Sequence, residues 1–178
     1  MNAKKILVVD DERSVRESLS KVLQAEGYEV LLAANGQVAI EQLAKGSVDL
    51  VLLDIGLPVK DGWDTLGWLA EVTPLKPVIV ITGRWKQAGL AAAAGADVLM
   101  EKPLDVPMLF QIIHELLQEA PEDRACRLHD RGRGFRQVPC DTAAFCERLA
   151  KGYTTPFPCE EVMNYKITKY EENHSGRG

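Results

Sequence analysis

Four short apolar runs constrain this chain most: "ILVV" (Ile6 to Val9), "LVLL" (Leu50 to Leu53), "VIVI" (Val78 to Ile81) and the weaker "VLL" (Val30 to Leu32). A strand that faces water on one side alternates apolar and polar residues. A run that is apolar at every position suits a strand buried on both faces of a parallel sheet. Helical patterns lie between the runs. Val15, Leu19, Val22 and Leu23 fall at i, i+4, i+7 and i+8, and Gly27 follows as a stop. Further helices are predicted from Gln37 to Ala44, closed by Gly46, and over about Trp63 to Val72, about Trp85 to Ala94, and Val106 to Glu119. A fifth strand, "DVLM", precedes Glu101-Lys102-Pro103. Strand then helix, five times over, predicts a doubly wound α/β sandwich. Parallel neighbours need crossover helices, and these cover both faces of the sheet.

Charge narrows the class of partner. The net charge of −5 is unevenly distributed, with 11 Lys and Arg against 17 Asp and Glu through Ala120, and 10 against 9 beyond it. An acidic front domain repels nucleic-acid phosphates, so any direct DNA contact would have to come from the tail. No apolar run reaches the roughly 18 residues needed to span a bilayer, and "MNAKKILVVDDE" lacks the features of a signal peptide. A cytoplasmic protein without membrane contact is the expectation. All four cysteines (Cys126, Cys140, Cys146, Cys159) follow residue 120; in a reducing cytosol they are read as free thiols.

In a doubly wound sheet the functional crevice lies at the carboxyl ends of the strands. Asp10 and Asp11 end the first strand, Asp54 the third, Thr82 the fourth and Lys102 the fifth. Carboxylates converging on one crevice need a cation nearby to stay ionised. Oxygen donors in that number suit magnesium, which keeps several waters and takes only one or two carboxylates directly. With Lys102 as a mobile positive charge and Thr82 as a hydroxyl donor, the set is suited to holding a phosphoryl group on a carboxylate oxygen.

At these residues the chain resembles the receiver domain of two-component response regulators. The resemblance is carried by "VVDDE" at Val8 to Glu12, "LLDIGLPVKDG" at Leu52 to Gly62, "VIVITG" at Val78 to Gly83 and "GADVLMEKP" at Gly95 to Pro103. It covers about the first 119 residues. The fold expected is a five-stranded, flavodoxin-like parallel sheet of strand order 2-1-3-4-5, with a receiver domain over residues 1–120 and an extension over 121–178. The resemblance implies that Asp54 accepts a phosphoryl group from a histidine kinase or histidine phosphotransfer protein, with Mg2+ as cofactor. Asp11 and Asp54 would ligate the ion directly, the Gly56 carbonyl would be a third protein ligand, and Asp10 would act mainly through a bound water. Lys102 would pair with the acyl phosphate. Thr82 would bond a phosphoryl oxygen and so change a partner-binding face. A cis Lys102-Pro103 bond is also implied. Such a chain catalyses its own phosphorylation and dephosphorylation and is not an enzyme on a separate substrate. Kinase, downstream protein target and oligomeric state are not written in the sequence.

One departure stands out. Members of this family usually carry Tyr or Phe three residues before the site lysine, and here the position is Leu99. Gly56 and Gly83 are both small and leave the site open to a donor and to water, and Arg84 could reach toward the phosphoryl oxygens. Plainer readings stand beside the chemical ones. Asp10 and Asp11 could cap the following helix, Pro58 and Gly62 are turn formers, His114 is a solvated surface residue, and Trp63, Trp68 and Trp85 are packing residues.

The tail is less informative. "CRLHDRGRGFRQ" belongs to a stretch that brings Arg124, Arg127, Arg131, Arg133 and Arg136 close together in sequence, and it is read as a solvated linker. "DTAAFCERLAKG" predicts a short helix between Asp141 and Gly152, and the polar end is expected to be disordered. Cys126 and His129 have a ligand-like gap, but the remaining cysteine spacings match no zinc motif. No output domain is recognised after residue 120. Two rivals remain in view: a DNA-binding regulator acting through the arginine run, and an Asp-nucleophile phosphatase. Those of the haloacid-dehalogenase type place a second Asp two residues after the nucleophile, where Asp10 is followed by Glu12.

Overall fold

The computed structural model describes residues 3–57, 62–84, 86–129 and 135–139. Five β/α units run in order: β1 (Lys5–Val9) and α1 (Arg13–Ala25), β2 (Glu29–Ala33) and α2 (Gly36–Ala44), β3 (Leu50–Asp54) and α3 (Gly62–Val72), β4 (Val78–Thr82) and α4 (Ala88–Ala93), β5 (Val98–Glu101) and α5 (Val106–Gln118). A further helix, α6 (Pro121–His129), and strand, β6 (Arg136–Val138), follow. All pairings are parallel, in the order β2-β1-β3-β4-β5-β6. The expected order of the first five strands is therefore observed, with a sixth strand added beside β5.

The apolar runs behave as their lack of alternation demands. Every residue of β3 and β4 is buried. Leu7, Val9, Val51, Leu53, Val80 and Leu99 share one hydrophobic cluster with Ala39, Leu43, Leu66, Leu69 and Ala91 from α2, α3 and α4. The alternate residues Ile6, Val8, Leu50, Leu52, Ile79 and Ile81 are equally buried and point to the opposite face. Leu19 and Leu23 of α1 and Leu109, Ile112 and Ile113 of α5 supply further buried apolar residues. Asn35 and Asp105 cap α2 and α5 by accepting from the N–H groups of Val38 and Met108. Gly27 and Gly46 take the left-handed conformations that end their helices.

Gly62 fixes how α3 leaves the sheet. A Cβ there would press on the Ile55 Cα and lie 2.7 Å from the Asp54 carbonyl oxygen. Both belong to backbone at the end of a central strand and cannot rotate aside. We expect Gly62→Ala to cost about 1–3 kcal/mol as the helix start is pushed off β3. Urea unfolding checks this, and a change below about 0.5 kcal/mol would mean the contact relaxes freely.

Two expectations are corrected. The helix placed at about Trp85 to Ala94 is shorter, because Lys86 has a φ of 60° and the regular turns begin only at Ala88. Within the arginine run read as a solvated linker, Arg124 and Arg136 are instead paired, and a compact unit extends from Met1 to Cys140. The physical reason is one ion pair. Arg124 is 3% exposed, and its guanidinium forks onto Asp97, which is 0% exposed. Nη1 donates to Asp97 Oδ1 at 2.6 Å, and Nη2 donates to Asp97 Oδ2 and to the Lys76 carbonyl, both at 2.8 Å. Asp97 Oδ2 also accepts from the Val78 N–H at 2.8 Å. Among the buried side-chain nitrogens and oxygens of the described residues, only Arg124 Nε is left without a hydrogen-bond partner. Cys126 is a free, exposed thiol. Cys140, Cys146 and Cys159 and the helix expected between Asp141 and Gly152 lie outside the described residues, as does Trp85.

Candidate functional site

The crevice at the carboxyl ends of β1, β3, β4 and β5 gathers Asp10, Asp11, Asp54, Thr82 and Lys102. Their elements explain the convergence. β1 pairs with β3, β3 with β4 and β4 with β5 in register, so polar residues that end each apolar run meet at one edge. Asp10 and Asp54 are 2% and 7% exposed and Thr82 is 1% exposed, whereas Asp11 faces solvent. Carboxylate oxygens of Asp10, Asp11 and Asp54 all lie within 4.8 Å of one another, a donor set that could hold a metal ion.

Lys102 reaches into this cluster from just beyond β5, and its bond to Pro103 is cis as expected. Its Nζ lies 2.6 Å from Asp54 Oδ2 and 3.0 Å from Asp10 Oδ2. The other oxygen of each carboxylate is held by backbone: Asp54 Oδ1 accepts from the Gly56 N–H at 2.7 Å, and Asp10 Oδ1 from the Glu12 N–H at 2.8 Å. Asp10 thus fixes the turn at Glu12, which precedes α1, and does not cap the helix as the plainer reading had it, while its second oxygen faces the crevice. Thr82 Oγ1 accepts from the Arg84 N–H at 2.9 Å, which shapes the loop after β4; the Arg84 side chain is not tied into the crevice by any described hydrogen bond.

The electrostatics follow from burial. Desolvation pushes the Asp10 carboxyl up to about 6, against the opposing pull of Lys102 and with the Asp54 charge adding to the rise. Burial would depress Lys102, but Asp54 and Asp10 outweigh it and hold its ammonium above the ordinary lysine range. Among the described residues, the Lys102 ammonium therefore stands against two buried carboxylates, with the Asp11 carboxylate beside them. Oxygen-only donors, one of them solvent-facing, fit a hard divalent cation that retains waters.

Several plainer expectations also have their answers. Trp63 and Trp68 are partly buried against the core. His114 is exposed and bonded to Gln118. Leu99 is fully buried in the core cluster. Asp97 and Arg124 were missed as a pair because nothing in their spacing announces a contact; a lone Asp opening an apolar strand was the one available hint.

A parallel doubly wound sheet with an acid-and-lysine crevice at its strand ends defines a receiver-type signalling domain. The response regulator receiver domain family matches residues 6–114, and the chain belongs to it. Among curated proteins it is 37% identical over 124 residues to the response regulator MprA of Mycolicibacterium vanbaalenii, covering 68% of this chain and 54% of that protein. It is 35% identical over 136 residues to the transcriptional regulatory protein CpxR of Escherichia coli, covering 75% and 58%. The chain spans little more than half the length of these relatives. A receiver domain protein of Methanospirillum hungatei, described as CheY-like, superposes with a TM-score of 0.63 at 29% identity, covering 70% of this chain and 98% of that one. TrrA of Thermotoga maritima, solved in complex with Mg(2+)-BeF, gives 0.60 at 35% identity, covering 64% and 98%. Among the described residues, no helix is long and apolar enough to cross a membrane.

Proposed function

We propose that this receiver domain works in a phosphorelay, with Asp54 as the acceptor of a phosphoryl group from a histidine kinase or histidine phosphotransfer protein. The observation that carries the reading is Asp54 itself: a buried carboxylate with Oδ1 fixed by the Gly56 N–H and Oδ2 against the Lys102 ammonium, beside two further carboxylates. An Asp54 oxygen attacks the phosphorus of the donor phosphoimidazole. A P–O bond forms, the P–N bond breaks, and the imidazole leaves and takes up a proton. Lys102, already against Asp54, would neutralise charge on the transferred group, and Thr82, at the neighbouring strand end, would bond one of its oxygens.

Asp11, Asp54 and the Gly56 carbonyl would hold a Mg2+ ion directly and Asp10 through water. Bound there, the ion would supply the positive charge that offsets both the carboxylates and the phosphoryl oxygens. The relative from Thermotoga, solved with Mg(2+)-BeF, supports that choice of metal. Hydrolysis returns Asp54 to its free form, so the chain acts on itself and on no separate substrate. Its output is contact with a protein target. Within the arginine run, Arg124 is buried against Asp97 and so offers nothing to nucleic acid.

The test is incubation with a small phosphodonor and Mg2+, read by intact mass. One added phosphoryl group on the parent and none on Asp54→Asn is the expected result. A parent that gains nothing, or a variant that still gains one, removes Asp54 from this role.

A further inference from the structure

Without β6, strand β5 would be the outer edge of the sheet. It reads Val98-Leu99-Met100-Glu101, and the first three residues are buried. It contains neither Lys nor Pro, residues that discourage another strand from pairing at an edge. β6 covers it with three rungs, Arg136 beside Val98, Gln137 beside Leu99 and Val138 beside Met100. The Arg136 N–H also donates to the Asp97 carbonyl at 3.1 Å.

The direct hold on β6 is thin. No residue of this strand is fully buried. Arg136 pairs with Glu115 of α5 at 2.8 Å, with the two side chains 43% and 44% exposed. Gln137 donates to Glu101 at 3.0 Å in an exposed position. Pairs of this kind contribute little. The firm attachment is upstream, where α6 is tied through buried Arg124 to Asp97, the residue before β5. So tethered, β6 meets its edge at an effective concentration on the order of millimolar, which suffices to exclude a free competitor present at much lower concentration.

We propose that β6 is a guard strand that prevents the β5 edge from pairing with the β5 edge of a second copy of this chain. Two identical edges join most simply antiparallel about a two-fold axis. Centred between Leu99 and Met100, that arrangement sets Glu101 of each copy opposite Val98 of the other, so no like charges meet across the seam. It also satisfies the backbone groups that departure of β6 would leave unpaired. The inference is independent of the chemistry at Asp54.

The experiment uses the full chain. Arg136→Glu replaces the ion pair with two facing carboxylates, and Glu115→Arg combined with Arg136→Glu restores it with the signs reversed. Amide hydrogen exchange reads the β5–β6 ladder, and sedimentation equilibrium reads the mass over a micromolar concentration series, well below the effective concentration of the tethered strand. The parent is expected to be a monomer with protected β5 amides. In the single variant, exchange of the ladder at low concentration rises about fivefold, and the mass doubles as concentration increases. The double variant returns both to the parent values. Unchanged exchange in Arg136→Glu overturns the guard role, and faster exchange with no gain in mass overturns self-pairing. A parent that is already dimeric with its β5–β6 ladder intact overturns the proposal as well.

Discussion

Arg124→Ala is expected to lower stability by about 3–5 kcal/mol, the scale for removing one partner of a buried ion pair. Asp97 is fully buried and accepts from the Val78 N–H and from both ends of the Arg124 guanidinium. Losing the arginine removes the buried cation that faces the Asp97 carboxylate and also the Arg124 donor to the Lys76 carbonyl. α6 then has lost its buried anchor on the body of the domain. Asp97→Asn combined with Arg124→Met should recover a substantial part of the loss, because no charge remains uncompensated and the amide can still accept from Val78. Urea unfolding of the three proteins decides the matter. A loss under about 1 kcal/mol for Arg124→Ala would place the pair with ordinary surface contacts.

The second large effect concerns Lys102. Lys102→Met is expected to reduce phosphoryl incorporation from a small donor by about a hundredfold, comparable with deleting one preorganised group that meets developing charge. Metal binding should move in the opposite direction. The ammonium now sits on Asp54 and Asp10, at 2.6 and 3.0 Å, and a cation entering the crevice must share those oxygens with it. The rise in Tm on adding Mg2+, which follows the ratio of ion concentration to Kd, should therefore be larger in the methionine variant than in the parent. The combination separates a lost chemical role from a collapsed site. Incorporation within a few-fold of the parent would show that Lys102 is dispensable, and a vanished Mg2+ shift would show that the carboxylates no longer stand together.

Much of this was legible in the residues. Apolar runs without alternation require two covered faces, and the crossover rule then leaves few topologies. Asp10, Asp54, Thr82 and Lys102 could be assembled before any coordinates because each ends or follows such a run, and parallel strands in register bring their ends to one edge. Their burial and the 2.6 Å approach of Lys102 to Asp54 are consequences of that register together with the turn into Pro103.

The later part of the compact unit was different. Arg124 belongs to a hydrophilic, glycine-containing stretch, and local composition reads such a stretch as solvated. Its place is set by Asp97, 27 positions away in sequence, and no periodicity connects the two. β6 is likewise only three residues long, too short to carry a strand pattern, and it exists because β5 offers an open edge beside it. Strand ends and helix faces are determined locally, by which neighbours a residue has along the chain, so the sequence alone was enough for the sheet and the crevice. A buried charge pair and an added edge strand depend on which surfaces meet once the core has formed, and only the tertiary structure could decide them.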